Sequence, residues 1–228
     1  MHITPDHMVL FRWSWLVLNA TIVYTWAAML LLTVIAWLVT RHLASPSEPR
    51  SRWQNALEVT VELIRSQIRQ ICPEGADIYL PFIGTLFLFI AVSNLLEIVP
   101  GWHAPTGSLS TTAALAISVG VAVPVFGIQR HGFIGYFRHY FRPTWIMLPF
   151  HLMSETSRNV ALAVRLFGNI MSGSMIVGIL LAIAPLFFPV LMQVLGLLIG
   201  LIQAYIFAIL ATVYVVAAVQ RDSAQKGA

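Results

Sequence analysis

Twenty-five consecutive residues, Trp15 to Val39, carry no charge, and mostly apolar runs recur at Pro81 to Val99, Thr111 to Ile128, Met147 to Ala184 and Val190 to Val219. A helix needs about 20 apolar residues to cross the roughly 30 Å of hydrocarbon in a bilayer. Inside lipid, only a helix or a closed barrel satisfies its own backbone. Composition points the same way, with 58% hydrophobic and 10% charged residues and a mean hydropathy of +0.82, against about 25% charged in ordinary soluble domains. The chain reads as an all-α integral membrane protein with about five membrane-embedded helices in a single membrane domain, residues 1–228.

Span one, 15–39, is flanked by Trp13, Trp15 and Trp37 and then by Arg41, an interfacial signature. The residues before it mix His2, Asp6, His7 and Arg12 rather than forming a cleavable leader, so the span is expected to stay as an anchor. After the turn-rich stretch from Ser45 to Arg52, residues 53–72 place Leu57, Val61, Ile64, Ile68 and Ile71 opposite Glu58, Glu62, Arg65 and Arg69. That amphipathic helix either lies at the membrane surface or packs on its neighbours.

Span two, 81–99, opens on Pro81 and closes at Pro100-Gly101, and span three is 111–128. A basic and aromatic stretch from Gln129 to Pro143 follows and reads as interfacial. The 38 residues of 147–184 would reach about 57 Å as one helix, nearly twice the hydrocarbon thickness, so they tilt steeply or begin outside the bilayer. Pro185 and Pro189 break the chain before 190–219, and these last two helices are expected to form a tilted hairpin.

The Lys and Arg residues number five between spans one and two, none between spans two and three, and three between span three and the hairpin, with Arg221 and Lys226 in the tail. The positive-inside rule then puts the amino terminus, the His103 loop and the Pro185 turn on the non-cytoplasmic side and the carboxyl terminus inside. The formal charge of +4 is spread between spans without a dense basic run, which suits lipid headgroups and excludes a nucleic-acid site. Cys72 is the single cysteine, and no paired His motif, Gly-rich phosphate loop or nucleophile elbow is present. No metal, cofactor or active site for ATP hydrolysis is expected in this chain.

Arg165 lies in the middle of the 147–184 run. A charge at mid-bilayer costs from roughly 2.5 to above 10 kcal/mol and marks a functional site by default. His151, Glu155, Arg158, Leu162, Arg165, Asn169 and Ser172 follow alternating steps of four and three and share one helix face. Six of the seven are polar, so the stripe must face protein or water. A polar seam with Glu155 bonded to Arg158 is one reading of its outer part. Within its own helix the nearest acid to Arg165 is Glu155, ten residues away, too far to neutralise it.

The last helix offers Gln193, Gln203, Tyr205 and Tyr214, and Gln203 can bond the guanidinium or serve as an ordinary interhelical contact. Glu97, three residues after Asn94, either handles an ion or is an interfacial acid beside Pro100. His151 either titrates near neutrality or caps an interface.

The strings ALAVRLFGNIMSG around Arg165 and LIQAYIFAILATVYV around Gln203, with FIAVSNLLEIVPG and PTGSLSTTAALA, resemble subunit a of the F-type ATP synthase over residues 80–220. The compact chain and the MSG after Asn169 are similar to the alternate bacterial form called the N-type ATPase. The resemblance implies a non-catalytic stator subunit in a bacterial inner membrane, multi-pass, with a periplasmic amino terminus and a cytoplasmic carboxyl terminus. Its implied partners are a c-subunit ring, b subunits of the peripheral stalk, lipid and a translocated H+ or Na+.

In that family Arg165 matches the essential arginine that separates two ion half-channels and pairs transiently with a c-subunit carboxylate. Asn169 and Gln203 match polar positions near it, Asn94 and Glu97 the non-cytoplasmic passage, and Glu155, Arg158 and His151 the cytoplasmic side. Ser174 and Gly196 stand where many relatives carry an acid and a His, and Glu97 is the expected replacement. A secondary transporter or anion channel using Arg165 to bind a carboxylate is the alternative, although the chain lacks an internal repeat. A membrane enzyme would need a ligand or nucleophile constellation not seen here.

Overall fold

The computed structural model describes residues 9–13, 16–41, 52–73, 75–99, 102–140, 147–183 and 188–220. Two short strands, β1 (Val9–Trp13) and β2 (Leu16–Asn19), pair antiparallel, and six helices follow. These are α1 (Ala20–Thr40), α2 (Arg52–Ile71), α3 (Ala76–Leu95), α4 (Leu109–Tyr140), α5 (Met147–Ile183) and α6 (Phe188–Gln220). Five of them contain stretches long and apolar enough to cross a membrane, α2 being the exception. The architecture is that of an all-α, multi-pass membrane protein with a small hairpin at its start.

Several boundaries differ from those the hydrophobic pattern suggests. The first span begins at Ala20 rather than Trp15, because residues 16–19 are extended and pair with β1; Asn19, with φ −76° and ψ 150°, makes the turn into the helix. The remaining 21 residues of α1 still cover about 31 Å.

Helix α3 begins five residues before Pro81, at Ala76, after Gly75 in the left-handed region (φ 97°) where a side chain would be strained. Pro81 therefore sits inside the helix rather than at its first turn, and Leu96–Ile98 continue α3 as a 3₁₀ turn. The expected interfacial stretch after span three is helical as far as Tyr140, interrupted at Gly132 (φ 74°, ψ 163°). Pro189 lies in the first turn of α6, where its missing N–H costs nothing, instead of breaking the chain before it. The breaks expected at 45–51, Pro100-Gly101 and Pro185, and the tail from Arg221, lie outside the described residues.

The central core is built by α3, α4, α5 and α6. Ile90, Val119, Leu162, Leu166, Ala204, Phe207 and Ala211 are almost fully buried in it. In lipid this packing is held by van der Waals contact, so small residues that let backbones approach carry weight. Gly120 is one: a Cβ there would collide with the Asn159 side chain of α5.

A second core shows what the amphipathic helix packs against. Ile64 and Ile68 of α2 are buried with Tyr79 and Ile83 of α3 and Val215 and Val216 of α6, so α2 packs on the bundle. On its outer side Arg65 donates from Nε to Asp77 Oδ1 at 2.7 Å, tying α2 to the first turn of α3. Exposed pairs of this kind add little stability. Ile68→Ala is therefore expected to lower stability by about 2–4 kcal/mol, while Val59→Ala, 51% exposed on the same helix, changes it by less than about 1 kcal/mol. Denaturation of the purified protein in mixed detergent micelles checks both.

Candidate functional site

Helix α5 runs unbroken through Arg165, and its packed face is set by Leu162, Ala163, Leu166 and Ile170. At about 100° per residue, Arg158, Arg165, Asn169 and Ser172 form a stripe roughly a quarter-turn away from that face. Arg158, Arg165 and Ser172 are exposed, and Glu155 and Asn169 are half-buried. Leu162 shares the sequence spacing but is 1% exposed and belongs to the packed side. The stripe thus follows the border between packed and open surface. The His151 side chain lies outside the described residues.

Among the described residues Arg165 has neither a carboxylate partner nor a hydrogen bond. The bond from Gln203 to the guanidinium that the sequence allows is therefore not formed. Gln203 is 6% exposed on α6, and its Nε2 has no partner among the described residues. A buried amide nitrogen left unpaired costs about 1–3 kcal/mol. Arg158, nearer the start of α5, sits over the Tyr214 ring of α6 with Cζ 5.5 Å from the centroid, a cation–π contact that ties the two helices.

One turn beyond Arg165, Asn169 enters the wall of a cavity of about 450 Å³ between the end of α3, the 102–104 segment, α5 and α6. Its polar lining includes Asn94, Glu97, His103, Asn169, Ser174 and Gln193. Ser174 Oγ donates to Glu97 Oε1 at 3.3 Å, and Gln193 Nε2 donates to the Glu97 backbone carbonyl at 3.2 Å. The position where Ser174 stands is thus physically joined to Glu97, and Gly196 lines the same cavity.

Asn94, expected beside Glu97 in an ion passage, has its amide committed to structure. Its Nδ2 donates to the Gly200 carbonyl of α6 at 2.8 Å, and its Oδ1 accepts from Thr106 Oγ1 at 2.9 Å. Gly200 is required by that approach, since a Cβ there would stand 3.0 Å from Asn94 Cβ. Sequence reasoning missed His103, Trp102 and Thr106 as parts of this site. Helical periodicity links residues within one element, whereas these come from a loop whose place is fixed only by tertiary contact. A fingerprint of sorts was available in the polar PTGS string, read only as a resemblance.

Comparison with known proteins settles the family. The model of the family described as ATP synthase A chain matches residues 22–216. The chain belongs to the ATP synthase A chain family. It is 61% identical over 222 residues to ATP synthase subunit a 2 of Acaryochloris marina, covering 97% of this chain and 94% of that one. It is 56% identical over 227 residues to ATP synthase subunit a 1 of Crocosphaera subtropica, covering 100% and 98%. Identity to ATP synthase subunit a of Albidiferax ferrireducens is 55% over 218 residues, covering 96% and 94%. The ATP synthase A chain match covers both Arg165 and Gln203.

The close approach at Gly200 gives a direct test. Gly200→Ala should destabilise the protein by about 1–3 kcal/mol as Asn94 is pushed aside. Gly196→Ala, which meets nothing within 4 Å, should leave stability within about 0.5 kcal/mol of the parent. Detergent denaturation midpoints of the two variants check the contrast.

Proposed function

We propose that the chain is the ion-conducting stator subunit of a rotary ATP synthase, set beside a ring of c subunits, with Arg165 as the barrier between two half-channels. The observation that carries this is the guanidinium itself, exposed and without a counter-charge among the described residues, one turn from a cavity with Asn94, Glu97 and Asn169 in its wall. A charge so placed is tolerable when another subunit supplies water or a carboxylate. The open faces of α5 and α6, with exposed Val160, Val164, Leu191, Val194 and Leu198, suit a moving apolar partner.

The mechanism follows from charge. As a c-subunit carboxylate reaches Arg165, the fixed cation favours its ionised form and releases the bound ion. The same cation repels any free cation crossing between the passages. Arg cannot discharge by losing a proton, so the barrier is permanent. Attraction has to stay brief, because a dry, well-formed pair would hold the ring.

The cavity around Glu97 is the non-cytoplasmic passage in this reading. Glu97, fixed by Ser174 and Gln193, hands the ion toward Asn169 and Gln203. Glu155, Arg158 and His151 belong to the cytoplasmic passage, and Asn94 acts by holding α3 on α6. The amino terminus is periplasmic, the carboxyl terminus is cytoplasmic, and b subunits of the peripheral stalk hold the chain against rotation.

ATP-driven transport by the complete complex in vesicles, with and without sodium, tests the reading. Arg165→Ala should abolish coupled pumping while the complex still assembles; full coupling in that variant would end the proposal. Glu97→Gln should slow ion-driven synthesis by about tenfold or more. Normal coupled transport in it would remove Glu97 from the pathway without touching the role of Arg165.

A further inference from the structure

The cavity holds two side chains able to carry a proton, and only Glu97 has a place in the reading above. We propose that His103 is the outer proton-loading group of this passage, taking a proton from the aqueous side and delivering it through water to Glu97. The inference rests on the cavity being an ion passage, and it commits that passage to protons.

Both residues line the same cavity. His103 is exposed while Glu97 is half-buried, so the imidazole is the more accessible of the two. A loop histidine serves as a relay more readily when the segment that carries it is anchored. The His103 ring lies 6.2 Å from that of Tyr24 on α1, which in turn packs on Trp102 at 4.9 Å. The following segment is anchored as well: Ala104 to Ser108 are buried, and Thr106 is bonded to Asn94.

The charged surroundings are simple. Among the described residues, the cavity wall receives no Asp, Glu, His, Lys or Arg from α5 or α6, whose polar contributions are Asn169, Ser172, Ser174 and Gln193. Tyr24 is the titratable group that α1 places against the ring. Glu97 and His103 are thus the two acid–base side chains in the described lining.

The proton balance closes without another reactant. Imidazole accepts a proton from the outer phase and becomes imidazolium. It then releases that proton along intervening water to the Glu97 carboxylate and returns to the neutral form. An imidazole is suited to this step because its ordinary titration range lies near neutrality, where a carboxylate facing water is rarely protonated.

The test uses the whole complex in vesicles oriented so that the pH facing His103 is set independently, with synthesis driven by an imposed proton gradient. His103→Gln is expected to slow synthesis by about tenfold at neutral and alkaline pH on that side, less than the largest effects of a proton-transfer group because water offers a partial bypass. It should also flatten the dependence of rate on that pH between 5 and 8, and added imidazole should restore part of the rate. Parental rate and pH profile in His103→Gln would overturn the proposal, as would a loss that imidazole does not restore or transport driven equally well by sodium at fixed pH. Arg165→Ala in parallel separates the two ideas: if it uncouples transport while His103→Gln is normal, the relay alone fails.

Discussion

The bond from Asn94 to the Gly200 carbonyl sets the geometry on which the site depends. It is made between two helices at membrane depth, where an amide without a partner is costly and a satisfied one fixes position. Because Gly200 presents no side chain, α3 and α6 come close enough for the contact. The other end of the same amide holds Thr106 and with it the loop that carries His103. One residue therefore places Glu97, three positions on, and the opposite wall of the cavity in a common frame.

Much of this architecture could be read from the sequence because lipid permits so few solutions. Mostly apolar runs of membrane length marked the spanning helices, and the spacing around Arg165 placed a polar stripe on α5. The start of α1 could not be read, since an apolar run looks the same whether its first residues are helical or paired as a strand. The start of α3 was obscured by Pro81, which is common at a first turn yet is accommodated inside this helix. Residues 53–72 showed their amphipathic pattern plainly. What that pattern faces is a tertiary fact, decided by the burial of Ile64 and Ile68 against α3 and α6.

The site was legible in the same uneven way. Arg165, Asn169 and Ser172 lie on one helix and obey its period. Glu97 was found as an isolated acid near the end of a span, but its link to Ser174 joins residues 77 positions apart. No local rule connects them. The resemblance places Asn94 with Glu97 in the non-cytoplasmic passage; its two hydrogen bonds also make it a link between helices and loop.

The quarter-turn between the polar stripe and the packed face of α5 separates two kinds of demand on one helix. Leu162, Leu166 and Ile170 secure the fold, whereas Arg165 adds nothing to that interior. The arginine is a tenant of the structure rather than one of its supports. A chain arranged this way keeps the side chains that hold its shape apart from the charge it presents outward, so replacing that charge leaves the packed face of α5 as it is.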